Sequence, residues 1–344
     1  MCEKRTISGQ TGAILWRILS IRLFFPGRFP MKKAFLELHL SVLLAGWTGI
    51  FGKLISLSPG LIVFWRIVIA GALLWGWLAF RKGMEFVPTK DRIGIALVGA
   101  LLMLQWTLFY ASIKASNVSI AIVAFASIGF FTAIIEPILT RSRISLREIA
   151  FSVVTLVGIS FIFHFDTQYR LGIILGIISA AAAAALAVFF RKYKAKYRAD
   201  TVMSWQLAGG FAACLILMPL YRHFGPAENF LPSGIDWLYL SIFATFCTLG
   251  MYLLQIQALE KISAFTVNLT YNLEPVYSII LAMIIFQEGR DLGPSFYFGL
   301  FCIGLSVLLQ TMSVVRLQKK VARLESDRAA LGASEAERPR EMKL

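Results

Sequence analysis

Two charged residues lie inside long apolar stretches of this sequence. Arg66 follows Phe64 and Trp65, and Glu274 precedes Pro275. A charge at the centre of a bilayer costs about 2.5–3.5 kcal/mol on insertion scales, so such residues usually face a cavity. Burial disfavours the charged carboxylate, which makes Glu274 a candidate for a proton-coupling group. The alternative is a structural hydrogen bond to a neighbouring helix.

The polar residues near Glu274 form a second candidate group. Asn268, Tyr271 and Asn272 are spaced three and four apart, so one face of a continuous helix would carry all three. Such a face either binds a substrate or joins helices by hydrogen bonds. Pro275 removes a backbone N–H and frees the Tyr271 carbonyl, which is tolerated beside protein or a water-filled cavity.

Basic and aromatic residues offer two further kinds of contact. Lys53 and Arg66 together could bind a carboxylate or phosphate, although Lys53 could instead extend to the membrane surface. Glu288 could pair with either cation. Trp106 and Tyr110 lie four residues apart on one helix face. An aromatic wall suits amphiphilic or cationic ligands, whereas the alternative is contact with lipid.

A further tryptophan, Trp47, falls in the middle of its apolar stretch and could extend this wall. It is therefore included among the candidate substrate-binding residues.

The composition excludes an ordinary soluble domain and a disordered chain. Of the 344 residues, 58% are hydrophobic and 15% are charged, whereas soluble domains average about 45–50% and 25%. The net charge of +15 comes from short basic runs between apolar stretches, a pattern that orients membrane segments and does not indicate nucleic acid binding. The four Cys and three His residues form no metal-ligand pattern, and no phosphate-binding GxxxxGK[ST] loop is present. No cofactor or metal is therefore expected.

The apolar runs predict an all-α integral membrane protein with ten transmembrane helices, because a bilayer needs about 20 apolar residues per helix. The predicted spans are Leu38–Leu57, Leu61–Phe80, Ile93–Ile113, Val118–Leu139, Ser145–Phe163, Leu171–Phe190, Val202–Leu220, Trp237–Ala258, Ala264–Phe286 and Ser295–Val315.

The basic residues predict the orientation. With a cytoplasmic N-terminus, the loops inside hold about three times as many Lys and Arg residues as those outside. Both termini are therefore predicted to be cytoplasmic. Residues 1–34 form a basic extension, which is either upstream of a natural start at Met31 or an interfacial helix. Residues 316–344 form a charged cytoplasmic tail.

An internal repeat divides the ten spans into two groups of five, 35–165 and 169–315. At an offset of 147, matching landmarks are Lys114 with Lys261, Ser116 with Ser263, and Arg143 with Arg290. The position that matches Glu274 is Ser127. An odd number of spans per repeat inverts the second copy, as in many secondary transporters with a substrate site near the midplane.

These features resemble the EamA family of the drug/metabolite transporter superfamily. The resemblance is carried by Gly46-Trp47-Thr48-Gly49-Ile50-Phe51-Gly52-Lys53, Phe64-Trp65-Arg66, Asn272-Leu273-Glu274-Pro275-Val276-Tyr277 and Gln287-Glu288-Gly289-Arg290. It implies a multi-pass transporter in the cytoplasmic (inner) membrane, whose small-molecule substrates include amino acids, metabolites and drugs. It also favours export.

The sequence thus predicts a secondary active transporter for an amino-acid-like or drug-like metabolite, with protons as the candidate coupling ion. An exchanger of anions or phosphorylated metabolites with the same fold is the first alternative. A second is a membrane enzyme acting on lipid-linked substrates, for which His164-Phe165-Asp166 is the one His/Asp group in the sequence. The oligomeric state is left open.

Overall fold

A computed structural model describes residues 31–80, 83–141, 145–224, 229–259, 264–309, 311–313 and 315–316. The described part is all-α and contains no strand, which confirms the predicted fold class. The helices are α1 Met31–Leu54, α2 Pro59–Phe80, α3 Thr89–Ala115, α4 Val118–Phe125, α5 Ile128–Thr140, α6 Leu146–Phe165, α7 Arg170–Lys194, α8 Ala199–Phe224, α9 Gly234–Ala244, α10 Met251–Leu259, α11 Ala264–Tyr271 and α12 Glu274–Ile285, followed by α13 in the apolar span Pro294–Ser313.

Within the described residues, nine helical stretches are long and apolar enough to cross a membrane. The predicted span Ala264–Phe286 is not among them; it comprises the shorter helices α11 and α12, of which α12 is a short apolar helix. The predicted basic extension (1–30), most of the tail and the repeat landmarks Arg143, Lys261 and Ser263 lie outside the described residues.

The fourth and ninth predicted spans are both broken near their middles. The fourth span breaks at Ala126 and Ser127, between α4 and α5, and the ninth breaks between Tyr271 and Glu274. At the offset of 147 these breaks coincide within one residue. Pro275 explains the second break, since it cannot donate the helical hydrogen bond. In the first break, the Ser127 hydroxyl donates to the Ala124 carbonyl at 2.8 Å, a local bond that competes with helical geometry.

The two broken spans also end alike. Arg141 follows α5 with φ of 56°, and Gln287 follows α12 with φ of 55°. These are the non-glycine residues with left-handed backbone among those described, and a left-handed residue is a common helix terminator. The repeat is therefore visible in the backbone as well as in the sequence.

The halves of the broken spans pack differently at the two ends of the bundle. The end that holds Lys53, Asn117 and Glu288, which the charge pattern predicts to be extracellular, is called the outer end. There, α4 packs against α12. Towards the other end, α5 packs on α7 and α11 packs on α1. Among the described residues, the outer halves of the two spans thus contact each other, whereas the inner halves pack on different helices, α7 and α1, on which α4 and α12 also pack.

Helix α3 packs tightly on α7 and α8, where small residues bring the backbones together. A Cβ atom on Gly99 would lie 1.9 Å from the Gln206 carbonyl oxygen, and one on Gly209 would lie 2.1 Å from that of Ala96. The Ser112 hydroxyl donates to the Gly172 carbonyl at 2.7 Å. This rigid group of helices supports the outer half of α3, which carries two of the candidate site residues.

Candidate functional site

Arg66 is the centre of the best-defined polar site. Its side chain is on α2 and only 3% of the residue surface is exposed. Its Nε donates to the Thr248 Oγ1 at 2.9 Å, and its Nη1 donates to the Tyr110 hydroxyl at 2.6 Å. Both partners are neutral, so these bonds orient the guanidinium group without neutralising its charge.

Two aromatic rings from different helices lie against the guanidinium group. The Arg66 Cζ lies 3.7 Å from the ring centroid of Trp106 on α3 and 4.2 Å from that of Phe243 on α9. Such contacts stabilise a cation by about 0.5–2 kcal/mol, more when water is excluded. Tyr110 and Trp106 were predicted from the sequence, whereas Phe243 and Thr248 were not.

Phe243 and Thr248 lie where the eighth span changes from an α-helix to a π-helix. A π-helical turn, Thr245–Gly250, follows α9. Thr248 lies in this turn and also donates weakly to the Phe243 carbonyl, at 3.3 Å. Because π-helical turns occur frequently at functional sites, this turn is the structural feature that marks the region. No residue type in the sequence signals it.

No described residue forms an ion pair with Arg66. Nor do the described residues offer an acceptor to its Nη2. The edge of the guanidinium group formed by Nη1 and Nη2 is the part suited to a bidentate bond with an anion. A buried charge without a counter-charge is costly, so this edge is the part of the site where an anion would be most favourable.

A glycine on α1 makes room for Tyr110, which is 1% exposed. A Cβ atom on Gly52 would lie 2.6 Å from a carbon of the Tyr110 ring. This close approach explains one glycine of the motif that begins at Gly46. It holds Tyr110 between α1 and Arg66.

Glu274 begins α12, directly after the break in the ninth span. It is half-buried, and no described residue donates a hydrogen bond to its carboxylate. It interacts electrostatically with the hydroxyl groups of Tyr110 and Tyr271. Tyr110 is therefore a neighbour of both Arg66 and Glu274. Ser127, at the other break, is fully buried.

Trp47 joins this group through a chain of rings. Its centroid is 5.9 Å from that of Phe51, and Phe51 stacks on Phe243 at 5.6 Å. Trp47 is half-buried, as is Trp106. Ring contacts therefore connect Trp47 through Phe51 and Phe243 to Tyr110, whose centroid is 6.0 Å from that of Phe243.

Two of the three polar residues that were predicted to share one helix face, Tyr271 and Asn272, have different surroundings. Tyr271 is hydrogen-bonded to Ser41 on α1. Asn272 is exposed and donates to the Thr311 hydroxyl at 3.3 Å. The cause is the break, because α11 ends at Tyr271 and the helical spacing does not continue. The side chain of Asn268 lies outside the described part of the structure.

Lys53 is separated from Arg66 as well, contrary to the predicted anion-binding pair. Its Nζ lies 2.8 Å from the Glu288 Oε1. Glu288 also accepts from the backbone N–H groups of Val118 at 3.0 Å and Ser119 at 2.9 Å, and from the Ser119 hydroxyl at 2.7 Å. Glu288 thus caps the start of α4, where a carboxylate is favoured.

The predicted alternative of an enzyme rests on His164 and Asp166, which have separate contacts. The His164 ring lies 5.0 Å from that of Phe165, whereas Asp166 accepts a hydrogen bond from Ser295. Within the described part of the chain, neither side chain contacts the polar group around Arg66, and the two make no hydrogen bond to each other.

The family model that describes EamA-like transporters matches the chain twice, over residues 32–164 and 170–312. The chain belongs to the EamA-like transporter family. Each match contains one of the two broken spans, so the EamA repeat and the structural repeat coincide. This family membership points to a transporter and not to an enzyme, and it makes the chain a multi-pass membrane protein.

Two other proteins are similar to this chain. An uncharacterized transporter of Archaeoglobus fulgidus is 24% identical over 273 residues, which is 76% of this chain and 91% of that protein. A solved crystal structure of a protein has a TM-score of 0.55 and 16% identity, covering 81% of this chain and 98% of the other. The latter likeness concerns the fold alone.

Proposed function

We propose that this chain is a secondary transporter that carries a small metabolite across the cytoplasmic membrane by alternating access. The observation that carries the proposal is the pair of broken spans. Their halves meet at the outer end and have separate neighbours at the other end. Broken helices at corresponding positions in two repeats are the common way to build a midplane site in such transporters.

The division into repeats supports an inverted arrangement. Five spans in 35–165 and five in 169–315 would place the second copy upside down relative to the first. Alternating access then follows from the near-symmetry of the halves, because opening one end and opening the other are equivalent movements. The basic loops support cytoplasmic termini in this arrangement.

The contacts at the outer end support a conformation closed to the outside. Glu288 links Lys53 on α1, the start of α4 and its own turn after α12. Opening the outer end must break these bonds. The separate packing of α5 and α11 leaves the inner side as the open one, so a substrate would enter from the cytoplasm in this state.

Glu274 is the proposed proton-coupling residue. It lies at the break of the ninth span, lacks a described hydrogen-bond donor and acts electrostatically on Tyr110, which binds Arg66. A proton on Glu274 would therefore alter the charge at the substrate site. Export is the direction that the family resemblance favours.

A solute screen tests the transport function. The purified protein is reconstituted into liposomes that contain amino acids, monocarboxylates, sugar phosphates and cationic drugs, and the escape of each is followed by mass spectrometry. We expect at least one solute to escape faster than from protein-free liposomes, with stimulation by a pH gradient. Movement of no solute would contradict a transporter.

The variant Glu274→Gln tests the coupling residue in the same liposomes. It should retain movement of the solute but lose the stimulation by the pH gradient. Equal stimulation in the variant and the wild type would assign the coupling to another group.

A further inference from the structure

No described residue balances the charge of Arg66 through an ion pair. Arg66 is 97% buried by area, donates to two neutral hydroxyl groups and forms no ion pair within the described part of the chain. The rings of Trp106 and Phe243 also lie against it, with their centroids 3.7 and 4.2 Å from Cζ. Because the ring faces offer no hydrogen-bond donor, an approaching anion binds the N–H groups that the two hydroxyl groups leave unbound.

The N–H groups of Arg66 that have no partner among the described residues indicate which shape of anionic group fits the site. Nε is bound to Thr248 and one N–H of Nη1 is bound to Tyr110. The other N–H of Nη1 and those of Nη2 remain, which together form the end of the guanidinium fork. Two oxygen atoms of one planar group fit this edge, as in Arg–carboxylate pairs.

The number of cations at the Arg66 site indicates how much negative charge the ligand carries. Lys53, the other cation that could have joined the site, is bound to Glu288 at 2.8 Å. One guanidinium group balances one negative charge, so a phosphate monoester dianion would leave an excess charge in an apolar surrounding. Glu274 also lies near, through Tyr110, and adds no positive charge.

The aromatic side chains around the Arg66 site indicate the shape of the uncharged part of the ligand, here called its body. Phe243 is completely buried, whereas Trp106 and Trp47 are half-buried and leave part of their rings uncovered. Flat apolar groups stack on such surfaces. We infer that the Arg66 site binds a monocarboxylate with a flat apolar body. This inference names the substrate class of the proposed transport function and rests on it.

Protection of Cys247 tests the inference in the wild-type site. Cys247 lies in the π-helical turn next to Thr248, is 1% exposed and interacts electrostatically with Arg66. In full-length protein with Cys2, Cys214 and Cys302 replaced by Ala, its reaction with N-ethylmaleimide in detergent is followed by mass spectrometry. The probes are benzoate, its uncharged amide benzamide, and phenyl phosphate, which share one ring.

We expect benzoate to slow the labelling of Cys247 several-fold and benzamide to leave it unchanged. Phenyl phosphate, measured above pH 7 as a dianion, should protect less than benzoate. No protection by benzoate, or equal protection by benzamide, would overturn the inference. Stronger protection by phenyl phosphate would overturn it in favour of a phosphate ester.

Variants of Arg66 add a second readout, the shift in the thermal unfolding midpoint on adding benzoate. Arg66→Gln should lose this shift, and Arg66→Lys, which keeps the charge without the fork, should retain only part of it. An unchanged shift in a folded Arg66→Gln protein would overturn the inference. These binding measurements involve no transport, so their failure leaves the solute screen to decide the proposed function separately.

Discussion

Lys53 and Glu288 form an ion pair with an Nζ–Oε1 distance of 2.8 Å, which joins the end of the first helix to the turn after the ninth span. The same carboxylate caps the start of α4 through the N–H groups of Val118 and Ser119. One side chain thus connects three elements from both repeats. Its ion pair and hydrogen bonds hold these elements together at the outer end.

Loss of this carboxylate should destabilise the protein. Glu288→Gln removes the charge that pairs with Lys53 and replaces one of the two acceptor oxygens by an NH2 group, which we expect to lower the free energy of unfolding by about 2–3 kcal/mol. The control is Glu136→Gln, which breaks the exposed pair of Glu136 with Arg191. That pair should contribute less than about 1 kcal/mol. Equal unfolding midpoints for Glu288→Gln and the wild type would contradict the prediction.

The same carboxylate should make stability depend on acid. Burial raises the pKa of Glu288, but the hydrogen bonds from Lys53, Ser119 and Val118 outweigh it and hold the pKa below its ordinary value of 4.5. The charged form is therefore favoured by folding. Its stabilisation is complete above that ordinary value and is lost as the pH falls through the lower, folded-state value.

Thermal unfolding in detergent between neutral pH and about pH 3 measures this dependence. The unfolding midpoint of the wild type should fall more steeply over the acidic part of this range than that of Glu288→Gln. Parallel curves would show that Glu288 does not contribute to the acid response.

Thr248 should be required for a stable Arg66 site. Thr248→Val keeps the shape of the side chain but removes the acceptor of the Arg66 Nε, at a cost of about 1–3 kcal/mol for a buried charged donor. The matched control, Thr248→Ser, keeps a hydroxyl group and should cost less. A comparison of their unfolding midpoints checks this order. A Val variant as stable as the Ser variant would argue against the hydrogen bond.

The contact between α3 and α8 should not tolerate an added methyl group. Gly99→Ala and Gly209→Ala each place a Cβ within about 2 Å of a backbone oxygen, which only a shift of the helices can relieve. We expect a loss of about 1–3 kcal/mol or more in each. Gly71→Ala is the control, since no atom lies within 4 Å of its added Cβ. Similar unfolding midpoints for all three would contradict this packing.

The spans could be predicted from the sequence because each is a continuous apolar run bounded by charge, Gly or Pro. Pro275 is the sequence signal for the break in the ninth span. The break at Ser127 has no proline and depends on the hydrogen bond from the Ser127 hydroxyl to the Ala124 carbonyl. The matching landmarks at an offset of 147 were sufficient to predict the repeat. They did not show that α4 and α12 meet while α5 and α11 have other neighbours.

The site could be predicted only one side chain at a time. Arg66, Trp106 and Tyr110 were identified because charge and large rings are conspicuous in apolar runs. Phe243 and Thr248 are about 180 residues further along the chain, and only the packing of α9 and its π-helical turn brings them to Arg66. Asn272 lost its predicted neighbours for a related reason, since a helical wheel assumes an unbroken helix.

The most direct test of alternating access is hydrogen–deuterium exchange of the Glu288→Gln protein in lipid nanodiscs. Breaking the outer closure should speed exchange at Val118 and Ser119, and it should slow exchange in α5 and α11, because the two ends cannot open together. Asp236→Asn is the control, since Asp236 is a buried outer carboxylate bound to Ser56 and Ser233. It should speed exchange only locally. Faster exchange at the outer end of Glu288→Gln, without any slowing in α5 and α11, would contradict alternating access between the two repeats.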